Sequence, residues 1–240
     1  MIPSPVHYIP ILTTCFALGF AAVIFGRYRA RGGPHLLWWG IGMLTFAAGT
    51  ITESSTTLLG WHEPVFRLWY ITGALLGGAP LAQGTVYLML PRKVANRLTL
   101  ALVAAIAFGA VCVWLSPINM ALVEPYRLSG RVLAWRWVRF ISPWINLYAL
   151  GFLMGGAIVS AVRYSRSSET RHRALANVFI AVGALLPGIG GTFTRLGHVE
   201  VLYVTELLGL CCIAIGYRLS VGPALLQPGL VNRSGPLPQA

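Results

Sequence analysis

Two acidic side chains stand inside apolar stretches that are long enough to cross a membrane. They are Glu53, near the end of one stretch, and Glu206, near the start of another. At about 1.5 Å of rise per residue, a position about five residues inside each stretch places both carboxyls roughly 8 Å below the membrane boundary. An ionisable side chain in hydrocarbon costs free energy, so each acid calls for a reason. We expect two carboxylates at one depth to face a common cavity.

Polar residues accompany Glu53 along its own helix. Residues 49–60 contain six hydroxyl side chains. A stripe with i, i+3, i+4 and i+7 spacing is formed by Thr50, Glu53, Ser54 and Thr57. We expect the hydroxyls outside the stripe to bond to carbonyls one turn back in the helix. The sequence thus predicts a ligand or proton site made of Glu53, Glu206 and this stripe.

A positive charge is expected beside these acids. An internal repeat aligns Arg195 with Glu53, which predicts a cluster of Glu53, Arg195 and Glu206, with Arg67 as another partner. Two interpretations stay open. In the first, arginine neutralises the acids, and the cluster only holds helices together. In the second, the acids bind a solute, or a proton that a buried carboxyl gains and loses.

Imidazole and carboxylate groups also occur together in the connections between apolar stretches. His62, Glu63, His198 and Glu200 are of the types that bind zinc or copper, but such residues also occur at membrane surfaces because they are hydrated. No histidine lies in the middle of a stretch, which argues against haem. No nucleophile–base pair, phosphate-binding loop or metal-binding helix motif occurs. The sequence therefore favours a protein that is not an enzyme and holds no cofactor.

The composition is that of a membrane protein. Of the 240 residues, 56% are hydrophobic and 10% are charged, against roughly 25% charged in soluble domains. Segments that can span a bilayer lie at about 8–26, 36–58, 67–90, 98–116, 143–162, 174–195 and 200–219. We predict an all-α domain of seven transmembrane helices over residues 1–220, in the cytoplasmic membrane of a bacterium. Residues 221–240 are rich in proline and glycine, which predicts a disordered cytoplasmic tail.

The basic residues in the connections predict the orientation. Twelve of the 18 fall on the side of residues 27–31 and 163–173, and six fall on the other side. Basic connections stay in the cytoplasm, so we predict an external N-terminus and a cytoplasmic C-terminus. The net charge of +12 has the same origin, and no nucleic-acid partner is expected.

Short motifs recur in the same order in the two halves of the chain. Gly49–Glu53 resembles Gly191–Arg195, Tyr70–Thr72 resembles Tyr203–Thr205, and three further matches fall at equivalent depths. We predict a duplication of three helices, at about 8–90 and 143–219, joined by a connector helix at about 98–116 and related by an axis along the membrane normal. The plan is similar, in architecture only, to that of SWEET and PQ-loop transporters and to one proposed for microbial rhodopsins. Retinal is not expected, because it needs a lysine in the last span and the single lysine, Lys93, lies in a connection.

Proline lies beside glycine in the third and sixth spans, at Pro80 and Pro187. Proline removes a backbone hydrogen bond, so both helices should bend or loosen there. The bends would be hinges in a moving protein, or close-packing kinks in a static bundle. The longest connection, residues 117–142, interleaves aromatic residues with arginines near its end. This pattern predicts a helix in the headgroup layer or, alternatively, a lid over a cavity.

Two functions are compatible with these features. The repeat and the polar stripe favour a small-solute transporter, coupled to protons in one version, with a polar site in the outer half of the bundle. The alternative is a seven-helix sensor or a membrane-anchoring subunit, which would act through a partner because its cytoplasmic connections are short. The expected partners are the lipid bilayer and an unidentified small solute, with a second protein or further copies of the chain in the alternative.

Overall fold

The computed structural model describes residues 5–166 and 171–221, apart from the side chains of Arg195 and Val221. The described chain forms eight α-helices: α1 (Ile9–Arg31), α2 (Pro34–Leu59), α3 (Glu63–Trp69), α4 (Ala79–Met89), α5 (Arg92–Leu115), α6 (Ile141–Ser165), α7 (Arg171–Leu196) and α8 (Val199–Val221). Within these residues there is no β-strand, and the β-structure amounts to two isolated bridges. The all-helical prediction is confirmed. The predicted tail lies outside the described residues, except for the backbone of Val221.

Six helical stretches of the described chain are long and apolar enough to cross a membrane. One of them, Glu63–Met89, contains α3, a π-helical turn and α4. The prediction of a multi-pass membrane protein is therefore confirmed. The seventh long helix, α2, is not among these six. The count of seven spans, the orientation and the repeat remain predictions.

The helices contact one another in a closed cycle. α1 packs on α2, α2 on α4, α4 on α6, α6 on α7, α7 on α8, and α8 on α1. α5 stands beside this cycle, where it contacts α4, α6 and the π-helical turn. Short connections make neighbours of consecutive helices, since only residues 32–33 join α1 to α2 and only 197–198 join α7 to α8. We call the six helices of the cycle the ring.

The third span is broken near its middle. The π-helical turn Tyr70–Leu76 follows α3, and Gly77 ends it with φ +35° and an N–H that donates to Thr72 O at 3.0 Å. A Cβ on Gly77 would lie 2.8 Å from Gly73 O, so this bend needs glycine. Pro80 then stands in the first turn of α4, where its missing N–H costs no hydrogen bond. The span therefore loosens at glycine, just before the proline.

Small residues bring α7 and α8 close together. A Cβ on Gly183 would lie 2.6 Å from Gly209 O, and one on Gly190 would lie 2.1 Å from Thr205 Oγ1. Pro187 stands inside α7, which continues through it, and its ring faces Gly209. This arrangement has the form of a close-packed contact between membrane helices. A hinge role for Pro187 remains a prediction.

The connection between α5 and α6 folds into a compact unit, which we call the capping segment (residues 116–140). It contains three short 3₁₀ turns, and it closes on itself where Asn119 N–H donates to Val132 O at 2.8 Å. Leu128, Val132 and Leu133 are buried in a core shared with α3 and α5. The aromatic side chains near its end are exposed, in and beside the 3₁₀ turn Arg136–Phe140. A position in the headgroup layer and the alternative, a lid, both remain predictions.

The two ends of the bundle differ in charge. The capped side carries the capping segment, and the five described glutamates all belong to the half of the bundle nearest to it. The opposite end, the basic side, carries the arginines at the end of α1, the start of α5, the end of α6 and the start of α7. These two names are used below without assigning either side to the cytoplasm.

Candidate functional site

A cavity of about 720 Å³ lies among the helices of the ring, below the capping segment. We call it the central cavity. It begins at Arg131 and Arg139 of the capping segment and reaches Met43 and Leu81 at the middle of the bundle. Its volume suits a small molecule, because ligand pockets in proteins measure roughly 300–1,000 Å³. Most of its wall is apolar, so its few polar groups determine what it can bind.

Glu53 and Glu206 meet in this cavity. Glu53, which is 3% exposed, accepts a hydrogen bond at Oε1 from Trp69 Nε1 at 3.0 Å. The two carboxyls lie within hydrogen-bonding range of each other. Their second oxygens, Glu53 Oε2 and Glu206 Oε2, are enclosed and accept no hydrogen bond from any described donor. An ionised carboxylate only accepts hydrogen bonds, so a bond between the two requires a proton on one of them.

The hydroxyl stripe of α2 divides into parts with different roles. Thr50 lines the central cavity, and its hydroxyl lies 2.8 Å from that of Thr14 on α1. Ser54 donates to Thr50 O at 2.8 Å, and Thr57 donates to His7 O at 3.0 Å, so both hydroxyls serve the helix and its neighbour. Of the predicted stripe, the structure brings Thr50 and Glu53 to the cavity.

The hydroxyls outside the stripe bond within α2. The predicted bonds one turn back are made by Thr52 to Gly49 O, by Ser55 to Ile51 O and by Thr56 to Thr52 O. This prediction is confirmed. It explains how an otherwise apolar helix tolerates six hydroxyls, because none of these donors is left without an acceptor.

The expected positive partner for the acids is not found in Arg67. Its guanidinium donates to Glu63 Oε1 at 2.7 Å, to Trp114 O at 2.8 Å and to Ser116 O at 3.0 Å, and also to Val113 O. Arg67 therefore caps the carbonyl end of α5, where a cation interacts favourably with the helix dipole. The prediction that Arg67 pairs with Glu53 is wrong, because the end of α5 attracts this side chain.

The predicted pairing with Arg195 cannot be placed, because the side chain of Arg195 lies outside the described part of the chain. Elsewhere in residues 5–166 and 171–221, the ion pairs are Arg67–Glu63 and Arg127–Glu124, and neither includes a central-cavity acid. The cluster of Glu53, Arg195 and Glu206 remains a prediction.

The four residues of the predicted metal site are all exposed. His62 Nδ1 lies 3.2 Å from Gly60 O, and Glu63 is held by Arg67. His198 and Glu200 stand at the start of α8. Among the described residues no three or more His, Cys, Asp or Glu side chains gather in a metal-binding group. Zinc or copper binding here remains a prediction.

A second cavity, of about 340 Å³, opens among the same helices on the basic side. We call it the basic vestibule. Its polar side chains come from α1, α2, α4 and α8: Arg27, Arg31, His35, Thr85, Tyr217 and Ser220. Arg27 Nη1 donates to Tyr217 Oη at 3.3 Å, and its guanidinium stands 5.5 Å from the centre of the same ring.

One layer of side chains separates the two cavities. Five residues line both the central cavity and the basic vestibule, one from each of five ring helices: Met43, Leu81, Leu153, Ala184 and Ile213. We call them the apolar layer. Every member is hydrophobic, so the layer contains no polar group that would assist the passage of water or ions.

Comparisons with known proteins yield no relative. The chain matches no protein-family model, and no curated protein or solved structure matches it either. Analogy at the level of a fold therefore adds nothing, and function is argued from the residues of the two cavities.

The sequence analysis missed several polar residues in and beside this region. Trp69 holds Glu53, and Asn146 Nδ2 donates to Ala74 O of the π-helical turn at 3.3 Å, beside the central cavity. Gln83 is fully buried, where it donates to Thr99 Oγ1 at 2.7 Å and accepts from Tyr148 Oη at 2.6 Å. An amide inside an apolar span is the signal that could have found Asn146 and Gln83, because buried polar groups need partners.

Proposed function

We propose that this protein is a proton-coupled transporter of a small solute, and that Glu53 and Glu206 form its proton site. The observation that carries the proposal is the pair of carboxyls in contact inside the central cavity. Two adjacent carboxyls share a proton readily, because both cannot be ionised at such a distance without strong repulsion. Ionisable residues inside membrane helices that line a cavity are typical of proton relays and substrate pathways.

The arrangement of the two cavities supports transport rather than simple binding. The central cavity and the basic vestibule approach each other from opposite ends of the bundle and are separated by the apolar layer. A pathway that is closed by a single layer can be opened by a modest movement of the helices that contribute to it. A static helix bundle has no need of two cavities in line.

The sequence in which the ring helices pack on one another supports the predicted duplication. If α1, α2 and α4 correspond to α6, α7 and α8, each contact in the first unit has a counterpart in the second, and the contact of α4 with α6 corresponds to that of α8 with α1. Parallel repeats of this kind work as two units that rock about a site between them. Glu53 would belong to the first unit and Glu206 to the second, so movement of the units would change the distance between the acids.

The proposal is tested by proton flux into liposomes that contain the purified protein and a pH-sensitive dye. A panel of organic anions, amino acids and sugars is added outside under an imposed pH gradient. We expect at least one solute to drive proton movement, and Glu53→Gln and Glu206→Gln each to reduce that movement about tenfold or more, because the amide cannot exchange the proton.

The matched control is Glu200→Gln, on the exposed start of α8, which should keep the wild-type rate. Wild-type flux in both cavity variants, or no flux with any solute, would contradict the proposal. In the second case the alternative gains support: a sensor that registers pH through the same carboxyls and signals through another protein. A stoichiometric partner that co-purifies with the chain would then identify it.

A further inference from the structure

The basic vestibule has the composition of a binding site for an anion with an apolar body. Arg27 and Arg31 stand one turn apart on α1 and both line the vestibule, together with His35 at the start of α2. Tyr217 and Ser220 of α8 add two hydroxyls to the same end. Guanidinium groups bind carboxylates and phosphates through paired, charge-assisted hydrogen bonds.

No acid of the described chain neutralises these arginines. The ion pairs formed by residues 5–166 and 171–221 involve Arg67 and Arg127, both on the capped side. Arg27 is partly buried, and its one hydrogen bond to a side chain goes to the neutral Tyr217. Arg31 is exposed at the mouth of the vestibule. A cluster of positive charge without a counter-charge among the described residues attracts an anion from outside.

The rest of the vestibule is apolar and partly aromatic. Below the arginines lie Phe20, Ile24, Leu36 and Trp39, and the floor is the apolar layer. The rings of Phe20 and Tyr217 meet edge to face at 5.3 Å. Such walls bury hydrocarbon but give an inorganic anion nothing to contact. The ligand that matches both parts has a charged head and an apolar body.

We propose that the basic vestibule binds a soluble organic anion, an aromatic or aliphatic carboxylate, with its head on Arg27 and Arg31 and its body toward the apolar layer. The assignment deepens the proposed function and rests on it for the role of the vestibule as one end of the solute pathway. It also identifies the solute class, because a carboxylate that crosses together with a proton moves no net charge.

Equilibrium binding of radiolabelled benzoate to the protein in phosphatidylcholine nanodiscs tests the assignment. We expect saturable binding, competition by longer carboxylates, and little competition from benzamide, acetate or inorganic phosphate. Arg27→Gln and Arg31→Gln should each weaken binding about tenfold or more, because each removes a charge-assisted hydrogen bond. The matched control is Arg29→Gln, on the same helix but exposed and outside the vestibule, which should bind as the wild type does.

Folding of the variants is checked by thermal unfolding in the same nanodiscs, and Arg27→Lys, which keeps the charge, should retain more binding than Arg27→Gln. The competition experiment with benzamide uses the wild-type protein, so its result does not depend on the folding of any variant. Equal binding of benzoate and benzamide, or equal affinity in Arg29→Gln and both vestibule variants, would overturn the assignment.

An anionic lipid offers the same chemistry, and the discs distinguish it. If phosphatidylglycerol in the discs removes benzoate binding that phosphatidylcholine allows, a lipid occupies the vestibule and the assignment to a soluble solute is wrong. The two proposals can fail separately. If benzoate binding depends on the arginines but Glu53→Gln does not change the flux, the vestibule assignment stands and the proton site is wrong. The reverse result supports the proton site and contradicts the vestibule assignment.

Discussion

At the scale of single residues, Glu53 depends on a donor from a different helix. Its carboxyl receives the indole N–H of Trp69 across the contact of α2 with α3 and lies within hydrogen-bonding range of Glu206. A buried acceptor that loses its donor costs about 1–3 kcal/mol, because nothing replaces the lost hydrogen bond. Trp69 is therefore as much a part of the proposed proton site as the acids.

We expect Trp69→Phe to lower the free energy of unfolding by about 1–3 kcal/mol, because the ring still fills its place but Glu53 Oε1 loses its donor. The measurement is reversible unfolding in detergent. Trp144→Phe is the control, since Trp144 is 73% exposed on the outer surface of the bundle and should cost little. Equal losses in the two variants would show that the Trp69 hydrogen bond contributes no stability.

The sequence predicts which side chains of α2 share a face, but it does not predict which residues on other helices they bind. Spacing places Thr50 and Glu53 on one face, and the hydroxyls beside them satisfy themselves locally, as expected. The partner of Glu53 depends on the rotation of α3 about its axis, which no local pattern determines. Arg67 illustrates the same limit. Its pair with Glu63 is local, but its other acceptors are carbonyls at the end of α5, more than forty positions along the chain.

At the scale of the elements, glycine decides how closely α7 and α8 approach. Gly190 and Gly191 are consecutive in α7, but only Gly190 faces α8. A Cβ on Gly191 would have no neighbour within 4 Å. The pair offers an internal comparison in which helix propensity changes equally and packing changes at one position only.

We expect Gly190→Ala to lower the free energy of unfolding by about 1–3 kcal/mol, because the added methyl overlaps Thr205 and α8 must shift. Gly191→Ala should be neutral or slightly stabilising, since alanine favours the helix and occupies open space. Both are measured in the same detergent. The same loss of stability in both variants would mean that α7 and α8 are not in close contact at Gly190.

Hydropathy predicts the positions of the long helices, but it does not predict the break in the third span. The boundaries of α1, α2 and α5 to α8 lie close to the predicted spans, because an apolar stretch in lipid must satisfy its backbone within a helix. The π-helical turn Tyr70–Leu76 lies in a stretch whose residues are ordinary for a helix, and only Gly77 and Gly78 mark its end. The buried core of the capping segment was not predicted, because the interpretation rested on its arginines and aromatic residues and gave its leucines and valine too little weight.

At the scale of the whole molecule, the direction of the proposed solute pathway depends on the predicted orientation of the bundle in the membrane. The basic side carries most of the arginines, and basic connections stay in the cytoplasm. This rule places the central cavity toward the outside and the basic vestibule toward the cytoplasm.

We expect a cysteine introduced by Tyr126→Cys, in the capping segment, to react in intact cells with a membrane-impermeant maleimide. A cysteine introduced by Arg29→Cys, at the end of α1, should react only after the cells are opened. Both changes are made after Cys15, Cys112, Cys211 and Cys212 are replaced by alanine or serine. The opposite pattern would reverse the orientation and exchange the entry and exit of the proposed pathway.

The composition and spans of the bundle could be predicted, but the order of helices in the ring could not. A hydropathy profile contains no information on which helix faces which, and α5 resembles a ring helix by composition although it stands outside the ring. The central cavity was expected from two acids at one depth. The basic vestibule was not, because arginines at the ends of spans are accounted for by topology alone until their side chains are seen to converge.

The thinness of the apolar layer has an electrical consequence. Wherever the cavities on its two sides hold water, the electric field across the membrane is concentrated on Met43, Leu81, Leu153, Ala184 and Ile213 rather than spread over the bilayer. Moving one elementary charge through the full membrane potential changes its free energy by about 2.3 kcal/mol per 100 mV. A charge that enters either cavity feels little of this, and one that crosses the layer feels nearly all of it. Voltage would therefore act on the crossing step and leave binding at either end almost unchanged.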